Sequence, residues 1–151
     1  MQGLVDHGKS FQTQIIDFQK TGSFDPVLVE LGNDLLFIDS SHVVRSGGDV
    51  NHLFLEVLPT IAPGVIVHVH DIFSPADYPR RWVEEKALLW SEQYLLEAFL
   101  TGNADWEILL SANHLRHQDR ERLADKCPLM ERDAEPGSFY IRRRMSPDRS
   151  V

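Results

Sequence analysis

The stretch LLFIDSSHVVRSGGDVNHLFLEVLPTIAPGVIVHVHDIF, residues 35–73, contains two dense apolar runs with an amphipathic segment between them. The runs 35–38 (LLFI) and 65–69 (VIVHV) are rich in branched and aromatic side chains, which predicts strands. Apolar residues recur at helical spacing between the runs, which predicts a helix that ends at Pro59. These residues are Val50, Leu53, Phe54, Val57 and Leu58. The whole stretch is therefore predicted to be a βαβ unit.

Both predicted strands are followed by polar residues. Asp39 comes directly after the first strand, and His70 and Asp71 come after the second. The first strand is apolar on both faces, which is typical of a central strand buried between two helix layers. A right-handed crossover makes the two strands parallel, so their carboxyl ends emerge at one edge of the sheet. Because ligands of open α/β sheets bind at that edge, we expect a functional site there.

Further predicted elements lie on both sides of this unit. In chain order they are a strand at 11–18, a long helix from Trp82 to Phe99, a strand at 106–110, a helical or irregular segment at 113–126 and a strand at 139–142. The terminal residues 1–10 and 144–151 are expected to be flexible. No internal repeat is visible, so residues 1–151 are predicted to form a single α/β domain.

Composition and charge exclude several classes of protein. With 151 residues, of which 42% are hydrophobic, the chain is long and apolar enough to bury one core. Its formal net charge of −8 disfavours nucleic acid and anionic membranes as partners. No apolar run approaches the roughly 18 residues of a membrane span. The single cysteine, Cys127, excludes an intrachain disulfide framework and favours a reducing compartment, so we expect a cytoplasmic protein.

The residues after the two strands suit proton and metal chemistry. Carboxylates such as those of Asp39 and Asp71 are ligands that Mg²⁺ prefers. A substrate hydroxyl bound to that ion loses its proton more easily. The imidazole of His42, which follows Asp39 closely, is a base near neutral pH and could take that proton. The resulting alkoxide could attack a methyl group.

Each of these residues also has a plain structural interpretation. Asp39 and Asp71 could cap helices or bond to loop backbone, and His42 could mark the entry to a helix. His68, which alternates with His70 along the strand, is more often a satisfied buried histidine than a ligand. Aromatic residues at helical spacing, such as those of the predicted long helix, are more often core than a substrate platform.

Residues 35–73 resemble the central block of class I S-adenosylmethionine-dependent methyltransferases, among them sugar and macrolide O-methyltransferases. The shared pattern is FIDSSH followed by LP, PGV and HDIF in matching order and spacing. The segments 90–100 (WSEQYLLEAFL) and 136–143 (PGSFYIRR) resemble later blocks, and the resemblance extends over residues 11–143. It implies a Rossmann-like sheet in three layers with an antiparallel last strand, methyl transfer from S-adenosylmethionine and a small hydroxylated substrate.

The resemblance implies roles for individual residues at the sheet edge. Asp39 and Asp71 match the Mg²⁺-binding positions of metal-dependent relatives, and His42 matches the catalytic base. His70 stands where those relatives have a further acid. A metal-free mechanism, with His42 or His70 as the catalytic base, therefore stays open.

The resemblance also implies where cofactor and substrate bind. The positions expected near S-adenosylmethionine are Asp17, Asp39 and Ser40. The positions expected in the substrate pocket are Trp90, Gln93 and Tyr94. The family's first two strands, with their glycine-rich GxGxG turn, have no counterpart in this sequence. We therefore expect a sheet that is incomplete on its N-terminal side.

A metal-dependent hydrolase is one alternative. His68, His70 and Asp71 superficially resemble a zinc site in which the ion activates water. The spacing is short, and Asp71 points to the opposite strand face from the two histidines. Zinc analysis separates the two functions, because this hydrolase is expected to contain stoichiometric zinc. The methyltransferase is expected to bind Mg²⁺ weakly at most.

A non-catalytic role is a second alternative. A sheet that lacks its first two strands has an uncovered edge, and such edges pair with other strands. The chain would then form a homo-oligomer or bind a separate chain that completes the sheet. Calorimetric titration with S-adenosylmethionine separates this role from methyl transfer, because a non-catalytic chain is expected to bind the cofactor weakly or not at all.

Overall fold

The computed structural model describes residues 5–6, 9–10, 13–16, 35–131 and 133–145. The strands in these residues are β1 (Val5–Asp6), β2 (Lys9–Ser10), β3 (Thr13–Ile16), β4 (Leu35–Ile38), β5 (Ile66–Val69), β6 (Trp106–Ser111) and β7 (Phe139–Arg143). The α-helices are α1 (Asp49–His52), α2 (Arg80–Glu84), α3 (Glu92–Leu100), α4 (Ala112–Gln118) and α5 (Arg120–Lys126). α1 continues into a π-helical turn, Leu53–Val57, and a 3₁₀ turn, Leu58–Thr60.

β4 and β5 form the predicted parallel pair, with Leu35 opposite Ile66 and Ile38 opposite Val69. They lie within a five-stranded sheet of order β3-β4-β5-β7-β6. β3 is parallel to β4, whereas β7 is antiparallel to both β5 and β6. The βαβ unit and the antiparallel last strand are thus confirmed, and the fold is mixed α/β. β1 and β2 form a separate antiparallel ladder.

The hydrophobic core lies on one face of the five-stranded sheet. Leu36, Ile38, Val67 and Val69 of β4 and β5 belong to it, and each is at most 1% exposed. The predicted amphipathic helix covers them, because its apolar positions Val50, Leu53, Phe54, Val57 and Leu58 are all buried in the same cluster. Each large apolar side chain contributes about 1.5–3 kcal/mol when it is fully buried. The helical spacing of these residues therefore fixes how the crossover packs on the sheet.

The opposite face of the sheet is only half-buried. Phe37, His68 and Tyr140 lie opposite one another on β4, β5 and β7. The ring centroids of Phe37 and His68 are 4.9 Å apart, and those of His68 and Tyr140 are 4.2 Å apart. Burial alternates along β4 and β5, so only one face of each strand is fully covered. The expected burial of β4 on both faces, and with it the three-layer arrangement, is not confirmed.

The single long helix predicted from Trp82 to Phe99 is wrong, because α2 and α3 lie there with a break between them. Ala87 in the break has a left-handed backbone with a φ of 52°, which a continuous right-handed helix does not allow. The N–H groups of Ser91 and Glu92 donate to the carbonyl oxygen of His42, at 2.8 and 3.1 Å. A contact from a distant part of the chain therefore starts the second helix.

The segment predicted at 113–126 is helical and consists of α4 and α5. Asp119 separates the two helices, and its side chain accepts a hydrogen bond from the N–H of Arg122 at 3.1 Å. This bond caps α5 at its first turn. Among the helices of the described residues, none is long and apolar enough to cross a membrane.

Some predictions fall on residues that the structure does not describe. The predicted strand at 11–18 is described at Thr13–Ile16, where β3 confirms it. The expected flexibility of 1–10 and 144–151 lies largely outside the described residues.

Asp49 ties the loop after β4 to the start of α1. Its carboxylate accepts hydrogen bonds from the backbone N–H and the hydroxyl of Ser41, at 2.7 and 2.5 Å. Burial by itself raises the pKa of this carboxyl, but the hydrogen bonds from Ser41 and from the N–H groups of Val50 and Asp49 lower the pKa below its ordinary value of 3.8. The ionised carboxylate therefore stabilises the folded chain.

We expect Asp49→Asn to lower the free energy of unfolding by about 1–3 kcal/mol near neutral pH, because it removes a charged acceptor. The native pKa lies below that of the unfolded chain, so the carboxylate stabilises the fold fully above pH 3.8 and loses this effect as the pH falls through the native pKa. The difference in the free energy of unfolding between the wild type and Asp49→Asn should therefore become smaller in acid. Urea denaturation at a series of pH values measures this difference. Asp125→Asn, at an exposed position, is the control. A difference in the free energy of unfolding that does not change with pH would contradict the stabilising role of the Asp49 charge.

Candidate functional site

The side chains of Asp39, His42, His70 and Asp71 meet at the carboxyl ends of β4 and β5. Nε2 of His42 lies 3.4 Å from Oδ1 of Asp39 and 3.9 Å from Oδ2 of Asp71. Nδ1 of His70 lies 3.3 Å from Oδ1 of Asp71 and 3.7 Å from Oδ1 of Asp39. The predicted common edge of the sheet thus brings these four residues together.

His42 is almost completely buried, with 6% of its surface exposed. Its Nδ1 lies 2.8 Å from Oε2 of Glu92, and its backbone N–H donates to Oγ of Ser40 at 2.9 Å. Its ring packs against the indole of Trp90, with centroids 4.2 Å apart. With Nδ1 directed at Glu92, Nε2 is the ring nitrogen that faces the two aspartates.

The surroundings of His42 raise its pKa above the ordinary value of 6.5. Burial by itself lowers the pKa, but the hydrogen bond with Glu92 and the negative charges of Glu92, Asp71 and Asp39 outweigh it. The protonated imidazole is therefore stabilised at this position. Such an environment suits a group that accepts a proton from a bound molecule.

The backbone is strained at two of the clustered residues. His42 has a φ of 58° and Asp71 a φ of 57°, in the left-handed region that side chains rarely adopt. In the described part of the chain, Ala87 is the other non-glycine residue with a positive φ. Strain of this kind costs about 1–3 kcal/mol per residue and persists where surrounding contacts over-determine the backbone. Its coincidence with the cluster supports a functional site.

Gly137 allows the segment before β7 to approach Asp71 closely. Its carbonyl oxygen accepts a hydrogen bond from the N–H of Ile72 at 2.8 Å. A Cβ atom at position 137 would lie 2.8 Å from Cα and 3.1 Å from Oδ1 of Asp71. Any side chain at this position would therefore displace the aspartate.

The described residues contain no group of three or more His, Cys, Asp or Glu side chains that could hold a metal ion. Mg²⁺ binding by Asp39 and Asp71 is therefore not supported. The position of His42 gives the physical reason, because its imidazole lies close to both carboxylates. When protonated, it places one positive charge beside these carboxylates.

His68 is surrounded by aromatic rings and does not pair with His70. It stacks on Tyr140, and its ring centroid lies 6.4 Å from that of His70. Burial and the charge of His70 lower the pKa of His68, and Asp39 offsets this only in part. The hydrolase that would use His68, His70 and Asp71 is therefore not favoured.

The positions expected near the cofactor differ in their surroundings. The side chain of Asp39 is 52% exposed at the sheet edge. The hydroxyl of Ser40 accepts the hydrogen bond from the N–H of His42, so it shapes the loop. Asp17 lies outside the described residues. Cofactor binding by these three residues stays a prediction.

Two of the residues expected in the substrate pocket have side chains near the surface. Trp90 contacts the cluster directly, through the ring of His42. Tyr94 is 48% exposed, and its hydroxyl donates to Oδ1 of Asp77 at 2.6 Å. Of the two, Trp90 is the one that contacts the cluster, and substrate contact by either residue stays a prediction.

Gln93, the third residue expected in the substrate pocket, is buried and forms hydrogen bonds with the loop after β5. Its Oε1 accepts from the N–H of Phe73 at 2.8 Å, and its Nε2 donates to the carbonyl oxygen of Ala76 at 2.8 Å. The backbone N–H of Gln93 donates to the hydroxyl of Tyr78 at 3.0 Å. These contacts hold the loop on α3, and substrate contact by Gln93 stays a prediction.

Glu92 belongs to the site, although the sequence analysis did not identify it. It is fully buried in the first turn of α3 and contacts His42, 50 residues away along the chain. Its spacing carries a signal, because it lies four residues before Leu96 and seven before Phe99, which pack in or against the core. An acid on the apolar face of a helix needs a partner.

A cavity of about 800 Å³ is lined by residues of α3, β6 and α4. Its walls include Leu96, Leu100 and Phe139, but none of the four clustered side chains. Ser74 and Ser111 also line it, and the hydroxyl of Ser111 donates to the carbonyl oxygen of Ser74. The cavity thus adds a largely apolar surface at the loop after β5, separate from the cluster.

Residues 5–72 match a family model described as a methyltransferase domain. This segment is similar to methyltransferases. The match covers slightly less than half of the chain and includes β4, β5 and all four clustered residues. It supports a methyltransferase family, whose members generally use S-adenosylmethionine, and methyltransferase activity in general. Comparisons with curated proteins and with solved structures give no match.

We expect Gly137→Ala to displace Asp71 and to lower the free energy of unfolding by about 1–3 kcal/mol, because the added Cβ overpacks a backbone contact. Backbone amide NMR shifts of His70 and Asp71, together with thermal denaturation, measure the two effects. Gly102→Ala is the control, since its φ is also positive but nothing lies within 4 Å of the added Cβ. It should cost stability and leave the site signals unchanged. Unaltered Asp71 signals in Gly137→Ala would show that the contact is not tight.

Proposed function

We propose that this chain is an S-adenosylmethionine-dependent methyltransferase that acts on a hydroxyl group of a small molecule, with His42 as the general base. The observation that carries the proposal is the position of His42, which is buried at the sheet edge with Nε2 facing two carboxylates. The match of residues 5–72 to a methyltransferase family model supports the reaction class, and the matched segment includes His42.

Proton transfer to His42 would accompany attack of the hydroxyl oxygen on the methyl carbon. When bound, S-adenosylmethionine supplies a methyl group on a positively charged sulfur, which keeps the electron pair of the broken S–CH₃ bond. Nε2 of His42 takes the hydroxyl proton, and the resulting imidazolium lies within 4 Å of Asp39 and Asp71. Their negative charges stabilise the protonated base in a site where burial limits access of water.

The metal-free form of this mechanism fits the described residues better than the Mg²⁺ form, because the imidazolium that forms on proton transfer lies within 4 Å of both aspartates and offsets part of their negative charge. His70 is the less suitable base. Its side chain is 43% exposed, and its Nδ1 has no hydrogen-bond partner among the described residues. In the part of the chain that the structure describes, no fully buried carboxylate such as Glu92 contacts the ring of His70.

The charge of the cluster limits the class of acceptor. Asp39 and Asp71 repel phosphate and carboxylate groups, so a neutral hydroxylated molecule suits the site better than an anionic one. Trp90 offers an apolar ring beside His42 against which a sugar or macrolide ring can pack.

The proposal includes a Rossmann-like, three-layer sheet that is incomplete on its N-terminal side. The half-buried row of Phe37, His68 and Tyr140 supports a further covering layer on the second face of the sheet. The sequence contains no GxGxG turn, so the described residues offer Asp39 but no glycine cradle for the methionine end of the cofactor. Those contacts would come from residues outside the described ranges, from a second copy or from a complementing chain that pairs with β3, which is an edge strand among the described residues.

We expect His42→Gln to lower the rate of methyl transfer by about 10²- to 10⁴-fold, because the variant lacks a general base. The assay uses labelled S-adenosylmethionine and a panel of neutral hydroxylated glycosides, after calorimetry has measured cofactor binding. His52→Gln is the control, since His52 lies on α1 and pairs with Glu56 instead of the cluster. Full activity of His42→Gln would rule out its role as base. Absence of cofactor binding by the wild-type chain would rule out autonomous S-adenosylmethionine chemistry.

A further inference from the structure

Glu92 has no role in the proton transfer proposed above, yet its burial is complete. Its side chain is 0% exposed, and Oε2 lies 2.8 Å from Nδ1 of His42. Its other oxygen, Oε1, has no hydrogen-bond partner among the described residues. Burial of an ionised carboxylate is unfavourable unless a partner compensates for the lost hydration. His42 is the partner that this structure provides.

The chemistry of this contact restricts the tautomer of His42. An ionised carboxylate only accepts hydrogen bonds, so the Nδ1 atom that it contacts must carry a proton. In the neutral imidazole, Nε2 is then the bare nitrogen. Glu92 lies in the first turn of α3, at the positive end of the helix dipole.

The backbone around Glu92 holds the ring of His42 in place as well. The N–H groups of Ser91 and Glu92 donate to the carbonyl oxygen of His42 at 2.8 and 3.1 Å. The hydroxyl of Ser91 accepts a hydrogen bond from the N–H of Val44 at 2.8 Å. Trp90 packs on the imidazole. The start of α3 therefore binds both the backbone and the ring of the residue proposed as base.

We propose that Glu92 is a positioning residue that fixes His42 in the tautomer protonated at Nδ1 and directs its bare Nε2 towards Asp39 and Asp71. The catalytic meaning of this assignment rests on the proposed function of His42. The tautomer itself does not, because the geometry of the folded chain determines it. Glu92 acts through His42 and touches neither the acceptor nor the methyl group.

Nitrogen-15 NMR of the histidine rings tests the tautomer in the wild-type protein without any assay of activity. Above the pKa of His42, long-range proton–nitrogen spectra should show Nδ1 protonated and Nε2 bare. A neutral His42 protonated at Nε2, with Glu92 donating to Nδ1, would overturn the proposal. So would an equal mixture of the two tautomers.

Glu92→Gln removes the charge and keeps the shape of the side chain. Its amide can donate to Nδ1 as well as accept from it, so the Nε2-protonated tautomer should become populated. Glu56→Gln is the matched control, because Glu56 lies 3.0 Å from Nδ1 of His52 in an exposed pair, and it should leave the His42 signals unchanged. If Glu92→Gln folds and keeps the wild-type tautomer, the proposal is wrong. If it does not fold, the wild-type spectrum alone decides.

Kinetics separate this proposal from the proposed function. Loss of the tautomer should lower kcat of Glu92→Gln by about 10²- to 10⁴-fold, as loss of an orienting acid does in other histidine-based sites, and leave KM for the acceptor nearly unchanged. A wild-type tautomer protonated at Nδ1 together with full activity of His42→Gln would refute His42 as base and leave the structural assignment intact. The reverse result, an inactive His42→Gln with unchanged kcat in Glu92→Gln, would refute the positioning role alone.

Discussion

The parallel pairing of β4 with β5 determines the geometry of the whole site. Ile38 and Val69 lie opposite each other at the ends of the two strands, and the N–H of His70 extends the ladder by donating to the carbonyl oxygen of Ile38 at 2.9 Å. Asp39 and Asp71 therefore lie near each other at the carboxyl ends of the two strands. A slip of one residue in this register would turn every side chain of one strand to the other face and separate the two acids.

Three segments that are distant in sequence carry the residues that meet at the site. The loop after β4 carries His42, the end of β5 carries Asp71, and the start of α3 carries Glu92. The negative charges of Glu92, Asp71 and Asp39 all act on the imidazole of His42. Together with the hydrogen bond from Nδ1 to Glu92, they raise the pKa of His42 by more than burial lowers it. Burial alone would lower the pKa of His42 and favour the neutral ring. The raised pKa therefore comes from the neighbouring carboxylates and not from the hydrophobic core.

Sequence periodicity predicted those parts of the fold that depend on neighbours along the chain. The apolar spacing from Val50 to Leu58 determines how the crossover packs, and the polar residues after two apolar runs, Asp39 and Asp71, indicated the edge of the sheet. The break between α2 and α3 was hidden, because helical spacing persists across it and the bonds that start α3 go to His42. Glu92 was missed for the same reason. Its place on the apolar face of α3 indicates that it needs a partner, but that partner, His42, lies 50 residues away and local spacing does not identify it.

The left-handed backbone at His42 and Asp71 has a consequence for how this chain can change. Glycine would relieve the strain at such positions, but at position 71 it would delete a carboxylate from the site, and at position 42 it would leave Glu92 buried without its partner. At position 42, relief of the backbone strain and compensation of the buried acid therefore oppose each other. A loop variant that removes the strain also removes the partner that Glu92 has at the start of α3.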